Sequence, residues 1–184
     1  MTDPQEPHVL PLSLETLEPR EVPAGTPWIV ESFQHSAANG LPQGWTQWSS
    51  NQSAGFSVDT VNAGLGDQGR LVSNANSDVK GRAWLSAPFA ADVETSAAVY
   101  LNTTVPVQLF IRGYGLNTAT PTYYAVNVVR GAEVQLVKVV SGKTTVLGHV
   151  KTPDYISNRW AMITIKADAD KLRVSFHQIG RAHV

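Results

Sequence analysis

The stretch RWAMITIKADADKLRVSF, residues 159–176, alternates apolar and polar side chains on both sides of a short polar break. Successive side chains of an extended chain point to opposite faces. Ile163, Ile165 and Ala167 therefore lie together, and Leu172, Val174 and Phe176 form the matching set on the next run. With the polar DAD between them as a turn, the stretch predicts two antiparallel strands that share one apolar face. A helix would instead repeat its apolar residues every three or four positions.

The same period extends through the preceding sequence. DVETSAAVYLN (92–102) places Val93, Thr95, Ala97, Val99 and Leu101 on one face and Asp92, Glu94, Ser96, Tyr100 and Asn102 on the other. VQLFIR (107–112) groups Val107, Leu109 and Ile111, and YYAVNVVR (123–130) groups Tyr124, Val126 and Val128. Gly131 in RGAEV supplies a hairpin turn into VQLVKVV, and SGK (141–143) supplies another into TTVLGHV. Upstream, WIVESF, GWTQWSS, GFSVDTV and GRLVSNA are short alternating runs bounded by Gly, Pro or Asn. No ten-residue helical pattern and no internal repeat interrupts the series. The expectation is an all-β, antiparallel sandwich or barrel.

Composition agrees and excludes several functions. With 14 basic and 15 acidic residues, net charge −1 and no charge runs, the chain lacks the electrostatic footprint of a nucleic-acid or anionic-membrane binder. No apolar run is long enough for a membrane span. Zero cysteines exclude disulfides, thiol catalysis and cysteine metal sites. Residues 1–27 are proline-rich and hold no period, as expected of a disordered leader. Within it, the words LETLEPREVPAG resemble the LEPR-type N-terminal segment of large exported proteins of certain environmental bacteria, a match that covers Leu12 to Ala24. That resemblance implies export to the cell surface or beyond.

Residues 28–177 resemble the concanavalin A-like, laminin-G-like jelly rolls. The similarity is carried by ESF (31–33), LPQGWTQWSS (41–50), GRLVS (69–73), RAWLSAP (82–88), residues 122–148 and residues 159–176. It implies a jelly-roll β-sandwich of the kind found in lectins, glucanases and domains attached to secreted hydrolases. The last residues, QIGRAHV (178–184), match in frame the translation of a widely used sequencing-library adapter. This predicts that Gln178 is a junction, that 179–184 are not biological, and that the jelly roll is C-terminally incomplete. Unpaired edges and poor solubility are expected in consequence.

Catalytic constellations are missing from the sequence. Paired carboxylates of the E-x-D-x-E type do not occur, and the nearest approach, Asp92 with Glu94, suits a solvated strand face. There is no G-x-S-x-G elbow and no H-E-x-x-H. His149 and His177 read as polar strand residues. Calcium is the one plausible cofactor, through the loop oxygens of Asn62 and Asp67 in NAGLGDQG and of Asn74, Asn76 and Asp78 in SNANSD. Such residues also form ordinary turns.

Binding therefore leads. Sugars are recognised by aromatic faces together with planar hydrogen-bonding groups. Trp45 and Trp48, three apart in GWTQWSS, face opposite sides of a strand, and the resemblance to jelly rolls, in which a GW word at the second strand packs inward, implies Trp45 in the core and Trp48 on the cleft side. The loop-bearing stretch IRGYGLNTATPTYY (111–124) offers Arg112, Tyr114, Asn117 and Tyr123 as exposed groups. Trp28, Trp84 and Trp160 look structural. The sequence thus predicts a non-catalytic, lectin-like module of a larger exported bacterial protein, with polysaccharide or glycan as partner. The alternatives are a structural or adhesive spacer, or the accessory domain of a secreted hydrolase or protease.

Overall fold

Alternation at period two becomes strand over most of the described residues of the computed structural model. It describes residues 9–10, 29–34, 40–52, 54–60, 69–74, 79–101, 105–129, 133–151 and 159–179. The protein is all-β, and every described element is a strand. Among the described residues no helix is long and apolar enough to cross a membrane. The chain divides into two compact units, one of Met1–Ala24, Ala90–Tyr114 and Thr120–Val184, the other of Gly25–Phe89 and Gly115–Ala119.

The first unit contains β1 (Val9–Leu10), β6 (Val93–Leu101), β7 (Val107–Tyr114), β8 (Thr122–Val129), β9 (Glu133–Val140), β10 (Lys143–Lys151), β11 (Arg159–Asp168) and β12 (Lys171–Gln178). They form two four-stranded antiparallel sheets, ordered β1-β12-β11-β6 and β10-β9-β8-β7. Ile111, Val126, Val128, Val134 and Leu136 from one sheet join Ile163, Ile165, Ala167, Leu172 and Val174 from the other in a single buried cluster. Val93, Ala97, Val99, Val107, Leu109, Tyr124 and Phe176 pack against it. The faces expected from the sequence are therefore the faces that meet. Full burial of each Val, Leu or Ile contributes about 1.5–3 kcal/mol, which makes this interior the main stabilising element of the unit.

Two turns are specified by backbone sterics. Ser141 (φ 48°) and Gly142 (φ 79°) occupy the left-handed region in the two-residue connection between β9 and β10. Ala169 (φ 51°) does so between β11 and β12. There, Asp92 Oδ1 accepts from Ala169 N at 2.8 Å, and Arg112 Nη2 donates to Ala169 O at 2.9 Å. Arg112 Nε also donates to Ala91 O at 2.7 Å. This clamp holds both a strained turn and Arg112 itself (φ 53°), which sits at an irregularity in the β7–β8 register.

The second unit contains β2 (Trp45–Ser49) paired with β5 (Gly81–Leu85), and β3 (Phe56–Asp59) paired with β4 (Arg70–Ser73). Its ladders are tied by side chains: Phe56 N donates to Gln47 Oε1 at 2.7 Å, and Gly55 N to Asn74 Oδ1 at 2.6 Å. Arg70 forks onto Asp59 Oδ2 through Nε (3.1 Å) and Nη2 (2.7 Å) across β3 and β4. Gly69 lies against the Phe33 backbone, where an added Cβ would stand 2.2 Å from Phe33 O.

Three local differences from the sequence expectations stand out. WIVESF is not a strand over its described residues: Phe33 N donates to Glu31 Oε1 at 2.8 Å and Phe33 takes φ 58°, so a turn replaces the extended chain. Trp28 lies outside the described residues. β12 continues past Phe176 to Gln178, with His177 opposite Met162 and Ile179 N bonded to Trp160 O at 3.0 Å. Of the expected leader, Val9–Leu10 are described, and they pair with β12 at Val174 and Ser175.

Candidate functional site

The second unit holds an open cleft of ≈ 440 Å³ lined by Gln47, Trp48, Ser49, Gln52, Ala54 and Gly55. Its wall is β2, and its rim is the segment that leads from β2 into β3. At Gly55 an added Cβ would approach Gln47 Oε1 to 2.7 Å, so a larger residue would have to displace the oxygen that accepts Phe56 N. β2 contributes Gln47, Trp48 and Ser49 to this depression, and the segment after it contributes Gln52, Ala54 and Gly55.

Trp48 is fixed from across the ladder. Its register partner on β5 is Arg82, whose guanidinium carbon lies 4.0 Å from the indole centroid. Arg82 is 8% exposed and is the one buried charged residue among those described. A buried cation needs partners. Arg82 Nε donates to Leu116 O at 3.1 Å, and Nη2 donates to Thr118 O. Residues 115–119 form a tight turn in the same unit, with Gly115 at φ 62° and Thr118 Oγ1 donating to Gly115 O at 2.8 Å. One arginine thus stacks on Trp48 and holds the turn that carries exposed Asn117. Trp45, the other indole of β2, packs instead against Phe33, with centroids 5.7 Å apart.

The expected site residues divide accordingly. Trp48 and Asn117 are linked through Arg82. Tyr114, in the first unit, is 81% exposed. Tyr123 is not exposed as expected: it is 8% accessible, stacks on Phe110 at 5.3 Å, and donates its hydroxyl to Gln108 Oε1 at 3.0 Å. Arg112 is likewise no open ligand group, since its guanidinium serves the Ala91 and Ala169 carbonyls and lies 3.5 Å from Asp92. Of the carboxylates considered for catalysis, Asp92 belongs to that clamp and Glu94 lies 3.5 Å from Lys166.

Asn62, Asp67, Asn76 and Asp78, considered for calcium, lie outside the described residues. Asn74 is described, and its Oδ1 accepts Gly55 N, so its oxygen closes the β3 segment. Among the described residues no three His, Cys, Asp or Glu side chains converge on a metal position. Sequence inspection missed Arg82, Gln47 and Gln52. For Arg82 the signal is weak: a lone arginine in GRAWL resembles a solvating strand residue, and its carbonyl partners lie 34 and 36 positions away.

No protein-family model matches the chain, and a search of curated proteins gives no match either.

Proposed function

We propose that the chain is a non-catalytic, concanavalin A-like jelly-roll module that binds carbohydrate for a larger exported bacterial protein. The observation that carries this reading is the Trp48 indole, held by Arg82 at the wall of a cleft whose other polar lining is Gln47, Ser49 and Gln52. An aromatic ring offers the apolar C–H face of a sugar its complement, and planar amides fix the hydroxyls. An indole already stacked on a buried guanidinium loses little freedom on binding, which favours affinity from a small contact area.

A glycan array of plant, algal and bacterial polysaccharides tests the proposal. Retention of one polysaccharide class by the intact chain, with loss on Trp48→Ala, is the expected result. Absence of binding across all three groups would leave the spacer as the better account.

A further inference from the structure

The face of the β7–β10 sheet turned away from the shared core carries a row that the Trp48 cleft does not use; Tyr123, Ala125, Val137 and Val139 on the same face are buried, and the row lies next to them. Gln108, Asn127, Gln135 and His149 are successive register partners across all four strands. Neighbouring strands lie about 4.8 Å apart, so the row spans the sheet at right angles to its strands. Its hydrogen bonds run in one direction. Asn127 Nδ2 donates to Gln135 Oε1 at 2.8 Å, Gln135 Nε2 donates to Glu133 Oε1, and Glu133 Oε2 meets His149 Nδ1 at 2.7 Å.

Every amide N–H₂ in that chain is turned toward Glu133, so an acceptor is left at the opposite end. Asn127 Oδ1 is that acceptor. It is buried and has no hydrogen-bond partner, the one such side-chain atom among the described residues. On its other side stands Gln108, whose Oε1 is already taken by the Tyr123 hydroxyl, which leaves the Gln108 amide with donor capacity. A buried acceptor without a donor is costly and calls for an explanation. A group that donates to Asn127 and accepts from Gln108 would satisfy both, and a hydroxyl does this with a single atom.

We propose that this row is a second ligand site, at which a hydroxyl of a neutral sugar inserts between Gln108 and Asn127. The inference rests on the carbohydrate reading above but uses different residues. A cation is disfavoured because the Glu133 carboxylate already faces His149 and its register partner Lys151. An anion is disfavoured by the same carboxylate. Gln108 and His149 are exposed at the two ends of the row, while Asn127 and Gln135 are half-buried between them.

The test is a ¹H–¹⁵N titration of the full chain with cellohexaose, xylohexaose and laminarihexaose, following side-chain amide resonances. At least one sugar should shift the Asn127 and Gln135 amides saturably, and the shifts should persist in Trp48→Ala. Asn127→Leu should weaken that response about tenfold or more with the fold retained, since the unsatisfied acceptor it removes offsets the loss of the bond to Gln135. If Asn127→Leu fails to fold, Gln135→Met gives the same readout. No shift with any of the three sugars, shifts unchanged in the row variants, or shifts abolished by Trp48→Ala would each overturn the proposal. A silent Trp48 indole beside a responding row would instead count against the first site alone.

Discussion

Ile163 and Gln47 each sit mid-strand in their own unit and work in opposite ways. Ile163 is fully buried on β11 among side chains of two sheets, and its contribution is apolar surface removed from water. Gln47 on β2 is exposed, and its contribution is one oxygen accepting the Phe56 N–H of the next ladder. The first unit closes on a shared core. The second, with two two-stranded ladders, is joined by side-chain bonds to backbone. A two-stranded ladder is marginal alone, so the second unit depends on a few specific contacts, and those contacts also shape the cleft.

The contrast can be broken most forcefully in the core. Ile165→Ala should cost about 2–5 kcal/mol in urea unfolding, because a fully buried side chain leaves a cavity between closely packed sheets. A loss below about 1 kcal/mol would mean that the core is not the principal support. In the second unit the largest effect is expected from Gly69→Ala, which drives a methyl group into the Phe33 carbonyl and should cost about 1–3 kcal/mol. Hydrogen exchange should show the damage in β3 and β4 while β11 stays protected; uniform loss across both units would contradict the division.

A smaller effect sharpens the comparison. Asn74→Ala removes the acceptor of Gly55 N and should destabilise by about 0.5–1.5 kcal/mol, read as faster exchange at Gly55. Unchanged exchange there would show that the side-chain tie is dispensable.

The smallest expected effect is electrostatic and lies in the first unit. The Gln135 amide bond, followed by the bond to His149, holds the Glu133 carboxyl below its ordinary pKa. A depressed carboxylate contributes stability that is present above its ordinary pKa and is lost as pH falls through the lower folded value. Glu133→Gln should therefore flatten the acid limb of the stability profile by slightly lowering its neutral part while leaving the low-pH end in place. An acid limb identical to that of the parent chain would refute this contribution.

Much of the first unit is legible in the sequence for a physical reason. Val93, Ala97 and Val99 on β6 and Leu172, Val174 and Phe176 on β12 read correctly because one-sided burial imposes a period of two. The same rule misleads at WIVESF, where the Glu31 carboxylate captures Phe33 N and turns the chain. It also cannot tell an open outer face from a covered position. Tyr123 is on the face opposite Tyr124, as alternation requires, but Phe110 and Gln108 engage its ring and hydroxyl.

The candidate site is legible only as Trp48. Its supporting arginine acts through the Leu116 and Thr118 carbonyls, and backbone acceptors leave no mark in side-chain patterning. Arg112 illustrates the same limit from the other direction, since its partners are the Ala91 and Ala169 carbonyls. Side-chain identity signals what a residue can bond, whereas the fold decides which carbonyls are within reach.

The central functional claim is that Trp48 forms the sugar-facing wall of the cleft. Calorimetric titration of the best array ligand into the parent chain and into Trp48→Ala tests it most directly. The account predicts that Kd weakens about tenfold or more, equivalent to about 1.4 kcal/mol, with the fold retained. An unchanged Kd in a folded Trp48→Ala chain would contradict it.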